Sequence, residues 1–309
     1  MKIDVLTLFP EIFTPLHHSI PGRAQKFGAA ELVLHGLRQW GLGRHQQLDD
    51  TPYGGGPGMV MSCPPLFKAM RDIKAEEGHV IYLTPQGQPL TQERVLQLAT
   101  FPRLILLCGH YEGIDERVVE HWVDEEICVG DFVVSGGELP AMMLIDAIFR
   151  LLPGVLSEGS AEQDSFYNGL LDHPHYTKPA NFEGREVPPI LLSGHHANVE
   201  KWRREQSIER TRVRRPDLYA RWKNEEATPS VGNRRGQKRL ASEPALLPHP
   251  GEPGGHGQPG LRLEGVPDGQ ETVPPRRARD QEKTSPPGSH QDGQEGRLQT
   301  GGGQECETG

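Results

Sequence analysis

The residues RLILLCGHYEGIDERVVEHWVDEEICVGDFVVSGGELPAMMLIDAIFR, numbered 103–150, decide the fold. Leu104–Cys108 is a continuous apolar run, as expected of a strand buried on both faces of a parallel sheet. A glycine-rich loop begins at Gly109, and apolar residues at helical spacing up to Trp122 then predict a helix. The same order of strand, glycine loop and helix repeats in the second half of the stretch. It therefore predicts an α/β protein with a parallel sheet.

Three glycine-containing loops follow predicted strands of this sheet. They are Gly109–Gly113, Ser135–Gly137 and, after the strand His79–Leu83, the loop Thr84–Pro89. One such loop turns a corner in many α/β proteins, but ligands bind outside the carboxyl ends of parallel strands, so three loops favour a pocket there. None of them contains GxGxxG or GxxxxGK[ST], which argues against a dinucleotide or triphosphate site.

Three segments carry a resemblance to a known family. They are CGHYEGIDERV (108–118), VGDFVVSGGELPA (129–141) and PYGGGPGM (52–59). They resemble the bacterial tRNA (guanine-N1)-methyltransferases of the TrmD type, members of the SPOUT superfamily, and the likeness runs in order from Met1 to about Arg221. The resemblance implies a parallel sheet with a C-terminal deep trefoil knot that holds the cofactor, and a small helical C-terminal domain. Sequence patterns alone would not suggest a knot, because knots are nearly absent from folds.

The resemblance and the composition together predict four regions. Residues 1–156 form the SPOUT methyltransferase domain with its cofactor-binding knot, and residues 157–194 form a polar, proline-punctuated interdomain linker. Residues 195–226, with helical periodicity, form the small tRNA-binding domain. Residues 227–309 are rich in proline and glycine and poor in aromatic residues, so this tail is expected to be disordered.

Charge and cysteine content exclude several classes of protein. The 309 residues carry a formal net charge of −9, which argues against a general nucleic-acid binder, so any RNA site is a local basic patch. The four cysteines form no CxxC pair, and two lie in predicted buried strands, which indicates a reducing compartment without disulfides or zinc. No apolar run approaches the ~20 residues of a membrane span, and no signal peptide is evident. We expect a cytoplasmic protein with no membrane partner.

Methyl transfer to guanine N1 requires a general base, because N1 carries a proton at neutral pH. The resemblance places that base at Asp164, which the sequence alone would class as a solvated loop carboxylate. It makes Arg150 catalytic as well, stabilising the oxyanion on guanine O6 with its guanidinium fork, although an arginine at a helix C-terminus commonly only compensates the dipole. Glu112 is the third candidate. It either accepts hydrogen bonds from the guanine edge or caps the following helix, and the sequence favours neither.

The cofactor implied by the resemblance is S-adenosyl-L-methionine. Its adenine would lie between apolar side chains and meet backbone groups, which explains the lack of a charged fingerprint. The implied contacts are Pro85, Gly109, Tyr111, Cys128, Val129, Gly130, Phe132, Val134, Gly136, Gly137 and Pro140.

A basic patch lies in the predicted C-terminal helices. On spacing alone it is slightly better explained as a solvated face, since Glu200, Glu205 and Glu209 are placed for i,i+4 pairs. The resemblance reverses that balance and implies tRNA contacts. The implied residues are Lys201, Arg203, Arg204, Arg210, Arg214 and Arg215. The paired histidines lack a consistent ligand spacing, so we predict no metal site in the protein.

The resemblance implies transfer of a methyl group from S-adenosylmethionine to N1 of guanine 37 in tRNA, by a homodimer whose active sites are shared between subunits. A SPOUT methyltransferase acting on another RNA, or on a ribose hydroxyl, is an alternative that would not need Asp164. A catalytically inactive RNA-binding homologue is a further alternative. The intact Asp164, Arg150 and Ser135–Gly137 count against the inactive homologue.

Overall fold

The computed structural model describes residues 1–157 and 159–227. The prediction of a disordered tail concerns residues that lie, from 228 onward, outside this range. The described strands are β1 (Lys2–Thr7), β2 (Glu31–Gly36), β3 (Asp49–Asp50), β4 (Val60–Met61), β5 (His79–Pro89), β6 (Arg103–Cys108), β7 (Glu125–Cys128), β8 (Asn181–Phe182) and β9 (Arg185–Glu186). The α-helices are α1 (Ser19–Lys26), α2 (Cys63–Asp72), α3 (Gln92–Leu98), α4 (Glu116–Trp122), α5 (Glu138–Phe149), α6 (Pro189–Leu192), α7 (His196–Arg214) and α8 (Pro216–Ala227).

Five strands form one parallel sheet in the order β2-β1-β6-β5-β7. The apolar run that predicted a doubly buried strand is β6, and its residues Leu104–Cys108 are all fully buried. The predicted α/β class and the parallel sheet are therefore confirmed. Because β6, β5 and β7 are adjacent, their carboxyl ends lie together at one edge of the sheet.

The core lies on both faces of the sheet. On one face, alternate strand residues such as Ile3 and Leu104 pack with α1, α3 and α5. On the other, Leu6 and Ile105 pack with α2 and α4. The alternation follows from the two-residue period of a strand, which sends neighbouring side chains to opposite faces.

Two predicted element boundaries differ from the structure. The segment Thr84–Pro89, predicted as a loop, belongs to a strand that continues beside β7 after an irregularity, since Leu83 and Gln88 both pair with Ile127. The apolar periodicity of residues 62–77 predicts a helix over Ser62–Glu77, but that helix ends at Asp72 and is followed by a 3-10 turn. The sequence also predicts Thr91 as the cap of the next helix. This is confirmed, because its hydroxyl accepts a hydrogen bond from the Arg94 N–H at 3.2 Å.

The C-terminal part of the described chain contains the linker and two helices. Residues 157–194 hold only short elements, among them the β8–β9 hairpin and α6, while α7 and α8 are long and separated at Arg215. Within the described residues, none of the helices has the length and apolar character needed to cross a membrane.

Candidate functional site

A cavity of about 350 Å³ opens at the carboxyl ends of β5, β6 and β7. Its walls come mainly from the three segments singled out in the sequence: Thr84–Gln86 in β5, Gly109–Ile114 after β6, and the residues from Cys128, the last of β7, to Gly137 except Asp131. The volume is within the range of small-molecule sites. The prediction that these segments meet at one pocket is therefore confirmed in the geometry of the sheet.

All eleven residues expected to contact a cofactor line this cavity, and so does Glu112. The walls combine backbone of the glycine loops with apolar side chains such as Val129 and Val134. Carboxylates of Glu116 and Glu126 also line the cavity, whereas none of its described lining residues is a lysine or arginine. Such a cavity suits a ligand with apolar parts and positive charge and disfavours a phosphate.

The two glycine loops after β6 and β7 are held against each other at very short range. The N–H of Gly137 donates to the carbonyl of Gly109 at 3.0 Å, and a Cβ at Gly137 would lie 2.7 Å from Cα of Cys108. Only glycine allows this approach, which brings the first turn of α5 onto the end of β6. Burial raises the pKa of the Cys108 thiol well above its usual value, with a further contribution from the charge of Glu138, so this thiol is a neutral wall residue.

A buried carboxylate lies behind the cavity and was not predicted as a site residue. Glu138, the first residue of α5, is 2% exposed. Its Oε1 accepts a hydrogen bond from the Thr7 hydroxyl at 2.6 Å, and its Oε2 lies 2.7 Å from Nε2 of His110. His110 lines the cavity. The network thus joins the end of β1, the loop after β6 and the start of α5 around one carboxylate.

The proposed base and its arginine meet outside this cavity. Nη2 of Arg150 donates to Oδ2 of Asp164 at 2.6 Å, and both side chains are partly exposed. Neither residue is among those lining the cavity. The structure therefore brings Arg150 and Asp164 together at one place, and Glu112 and the expected cofactor residues together at another. The two groups do not meet within one chain.

The loop that follows Asp164 is closed on itself and attached to α7. The Asp172 N–H donates to the Ser165 hydroxyl at 2.9 Å, and the Phe166 N–H donates to the Leu170 carbonyl at 2.8 Å. The Leu171 N–H donates to Oγ1 of the buried Thr211 in α7 at 2.8 Å. Asp164 therefore begins a short loop held between the end of α5 and α7.

Comparison with known proteins shows which family this chain belongs to. The family model tRNA (Guanine-1)-methyltransferase TrmD matches residues 1–221. The chain belongs to the TrmD family. A tRNA (guanine-N(1)-)-methyltransferase of Ruminiclostridium cellulolyticum is 54% identical over 229 residues, which cover 72% of this chain and 98% of that protein. Proteins of the same name from Chloroflexus aurantiacus and Neisseria meningitidis serogroup C are 55% and 53% identical, covering 72% and 71% of this chain and 89% and 90% of their own lengths.

Glu112, one of three TrmD-type catalytic candidates, does not cap the helix after it. The cap of α4 is Asp115, whose carboxylate accepts a hydrogen bond from the Arg117 N–H at 3.1 Å. Glu112 instead lies against the glycine loop 52–59: its N–H donates to the Met59 carbonyl at 3.0 Å, and a Cβ at Gly58 would come 2.3 Å from its Oε1. The capping role is therefore wrong, and the role toward guanine stays a prediction.

The basic residues expected to contact tRNA in this TrmD-family chain lie on or next to α7, and several are paired with acids. Lys201 lies 4.0 Å from Glu205, and Arg204 lies 2.8 Å from Glu226 of α8. Arg215 donates to Asp217. Lys201, Arg203 and Arg204 line a second cavity, of about 760 Å³, between α7 and the linker. The groove is also lined by the carboxylates of Glu162, Asp172 and Glu200, so its charge is mixed. The ion pairs match the explanation as a solvated helix face, and the tRNA contacts stay a prediction.

Three residues of the linker place ligand-type atoms within 4.8 Å of one another: Asp172, His173 and His175. The Asp172 carboxylate lies 2.7 Å from Nδ1 of His173 and 2.7 Å from Nε2 of His175. Burial lowers the pKa of His173, and the positive charges of His175 and Arg203 lower it further against the opposing effect of Asp172. These hydrogen bonds account for the cluster without an ion, and the prediction that no residue binds metal stays a prediction.

Sequence reasoning missed Thr7, His110 and Glu138. By its position in the sequence, Glu138 is only an acid of the kind favoured in the first turn of a helix. Its partner Thr7 lies 131 residues earlier in the chain, so no local pattern links the two. The available signal was a histidine directly after the first glycine of one pocket loop and an acid directly after the glycines of another.

Proposed function

We propose that this chain transfers the methyl group of S-adenosyl-L-methionine to N1 of guanine 37 in tRNA, beside the anticodon, in the cytoplasm. The observation that carries the proposal is the convergence of three strand-end segments on one cavity that contains every cofactor residue expected for a TrmD-type enzyme. The relatives named above carry the name of this activity.

The cavity fits this cofactor in shape and charge. Apolar walls at Val129 and Val134 suit an adenine ring, and the backbone of the glycine loops offers donors and acceptors for ring nitrogens. The carboxylates of Glu112, Glu116 and Glu126 suit a sulfonium ligand with a net positive charge. When bound, the cofactor supplies an electrophilic methyl group, and the reaction needs no charged phosphate clamp from the protein.

In this proposal Asp164 accepts the N1 proton of guanine as N1 attacks. A carboxylate in a partly exposed loop can accept the proton and pass it to water. Arg150 then has two partners in turn: Asp164 before the guanine is bound, and the developing oxyanion on guanine O6 during the reaction. Its fixed charge and forked donors suit both. Glu112, in the cavity wall, accepts hydrogen bonds from the remaining donor of the guanine edge.

The two halves of the machinery are proposed to meet between subunits of a homodimer. Asp164 and Arg150 do not line the cofactor cavity of their own chain, so a second chain has to bring them to it. Large apolar side chains are exposed at the cavity and on α5: Val133 is 83% exposed, and Phe132, Leu139 and Met143 are each more than half exposed. Patches of this kind support an interface. The knot implied by the family belongs to the same proposal.

The proposal keeps the predicted division of labour along the chain. Residues 1–156 hold the cofactor, residues 157–194 carry the base, and residues 195–226 contact tRNA through the basic side chains on and beside α7. The groove lined by Lys201, Arg203 and Arg204 is also lined by Glu162 and Gln163, two and one residues before Asp164, so an RNA strand bound along it would run close to the base. The carboxylates of Glu162, Asp172 and Glu200 offset part of its positive charge.

The experiment that tests the function is methylation of unmodified tRNA transcripts that differ only at position 37. With radiolabelled S-adenosylmethionine we expect 1-methylguanosine from the guanine 37 transcript and no incorporation when adenine replaces that guanine. Methylation of both transcripts, or a product methylated on ribose, would favour the alternative of a SPOUT enzyme with another target.

A further inference from the structure

A directed chain of hydrogen bonds reaches the cofactor cavity from the end of β1. The Phe9 N–H donates to Oγ1 of Thr7 at 3.0 Å, so the Thr7 hydroxyl is free to donate its own hydrogen to Glu138 at 2.6 Å. An ionised carboxylate has acceptors only, so Nε2 of His110, 2.7 Å from the other oxygen, carries a hydrogen in this contact. The Thr7 hydroxyl and Nε2 of His110 are thus the two donors to the Glu138 carboxylate.

The buried position of Glu138 makes this arrangement costly to disturb. The carboxylate is 2% exposed and lies at the first residue of the 12-residue helix α5, where the helix dipole favours negative charge. Both of its oxygens are used, by Thr7 and by His110. A buried carboxylate that loses a partner is strongly penalised, so Glu138 favours a hydrogen on Nε2 of His110 and restricts the orientation of the ring.

The glycine at position 136 leaves room for this pair. A Cβ there would lie 2.2 Å from Cε1 of His110 and 2.6 Å from Oε2 of Glu138. The ring of His110 also meets Phe9 edge-on, with 5.3 Å between ring centroids. The imidazole is thus fixed from several sides while it lines the cavity, and among the described residues it makes no other hydrogen bond.

We propose that His110 is a further cofactor-binding residue, whose Nδ1 accepts a hydrogen bond from an N–H or O–H of the bound cofactor, and that Glu138 and Thr7 are positioning residues that keep Nδ1 free of hydrogen. With the hydrogen on Nε2, a neutral imidazole presents an acceptor at Nδ1. The inference rests on the proposed function, since it takes the cavity as the S-adenosylmethionine site.

Three variants separate this role from simple support of the fold. His110→Gln places its amide where Nε2 lies, so it keeps a donor to Glu138 but removes the Nδ1 acceptor. Glu138→Gln keeps the shape but has one acceptor oxygen in place of two, so the Thr7 hydroxyl and Nε2 of His110 can no longer both donate to it and the imidazole is no longer held in the same way. Asp4→Asn is the matched control. Asp4 is 1% exposed, lies 2.8 Å from His35 in the same sheet, and does not line the cavity.

The measurement is calorimetric titration of the full chain with S-adenosylmethionine, beside thermal unfolding of each variant. We expect both His110→Gln and Glu138→Gln to weaken binding about 3- to 10-fold, the cost of one hydrogen bond. The double variant should bind no more weakly than the worse single variant, because both remove the same contact. Asp4→Asn should lower the unfolding temperature and leave affinity unchanged.

Two outcomes would overturn parts of this picture, and they differ. If the unsubstituted chain does not bind S-adenosylmethionine, the proposed function fails. If it binds, but His110→Gln binds equally well or the two losses simply add, His110 and Glu138 only support the fold and the inference about Nδ1 is wrong.

Discussion

Arg150 donates from Nη2 to Oδ2 of Asp164 at 2.6 Å, across 14 residues of chain, and the pair lies outside the cavity that holds the expected cofactor contacts. The guanidinium at the end of α5 thus holds the carboxylate at the start of the loop 164–172. The proposed base is held in place but is separated, in its own chain, from the cavity proposed to bind the methyl donor. The following predictions depend on this separation.

Replacing Asp164 with asparagine should slow methyl transfer by roughly 10²–10⁴, because asparagine keeps the shape but cannot take the N1 proton. Cofactor affinity should be unchanged, since Asp164 does not line the cavity. Single-turnover kinetics and separate cofactor titrations measure the two effects. Glu183→Gln, at an exposed acid of the same linker, serves as the control and should match the wild type. A loss of affinity in proportion to the loss of rate would make Asp164 a structural residue.

Replacing Arg150 with lysine should also slow the chemical step, by about 10²-fold, because an ammonium group cannot reproduce the guanidinium fork. Lysine keeps the positive charge, so the rate would be nearly unchanged if Arg150 acted only through its charge. The rate at saturating cofactor and tRNA is the quantity to measure. Arg185→Lys, on the exposed β8–β9 hairpin, is the control and should retain full activity. Equal rates for both variants would remove Arg150 from the reaction.

Hybrid dimers test the proposal that the active site is shared between two subunits. Gly109→Val would place a side chain within 2.8 Å of the Tyr82 ring at the cavity wall and should abolish cofactor binding. A hybrid of one Asp164→Asn subunit and one Gly109→Val subunit has one intact composite site if cofactor and base come from different chains, so it should regain activity that both parents lack. Differently tagged subunits allow purification of the hybrid. A hybrid without activity, from parents that still dimerise and bind tRNA, would show that each site lies within one chain.

We expect the Glu125 carboxylate to make a pH-dependent contribution to stability. Burial raises its pKa, but hydrogen bonds from His79 and Arg94 outweigh this and lower the pKa from 4.5 to about 2. Because this pKa is lower in the folded than in the unfolded chain, the ionised carboxylate stabilises the folded protein at pH values above its unfolded pKa. The stabilisation is lost as the pH falls from about 4.5 toward 2. Glu125→Gln should therefore reduce the free energy of unfolding at pH 7 by on the order of 2 kcal/mol.

Urea denaturation between pH 7 and acid measures this contribution of Glu125. The difference between Glu125→Gln and the wild type should narrow as the solution is acidified below about pH 4.5. Glu76→Gln, at an exposed acid on the 3-10 turn Ala75–Glu77, should show no such trend. A constant difference across the range would mean that Glu125 acts through packing alone.

Removal of all residues after Ala227 should leave folding and methyl transfer unchanged. The family model ends at residue 221, and the composition beyond is too poor in apolar residues to form a core. Circular dichroism and the tRNA methylation assay measure the two properties. A cut after Arg215 is the contrasting variant, because it also removes α8, whose Trp222 packs against Gly169 of the linker. Loss of activity on the first cut would assign a function to the tail.

Several features of this protein follow from the sequence by itself. The apolar run Leu104–Cys108 predicted a strand buried on both faces, and the glycine loops predicted where a pocket forms. Both predictions depend on local properties of the sequence, namely the pattern of apolar residues and the small size of glycine. The position of the pocket then follows from the rule that parallel strands end at one edge of the sheet. The resemblance to the family also singled out Asp164 and Arg150, which form a hydrogen bond with each other in the structure.

Only the tertiary structure decided which distant groups meet. The hydrogen bond between Thr7 and Glu138 spans 131 residues, and the ion pair of Arg150 with Asp164 depends on the path of an irregular loop. Neither contact produces a periodicity or a residue preference in the sequence, because such contacts arise from the order of strands in the sheet and the packing of α5 on β6. The capping role left open for Glu112 was likewise settled by geometry, since Asp115 occupies the cap. Sequence periodicity reports whether a side chain is buried, and the fold determines what it is buried against.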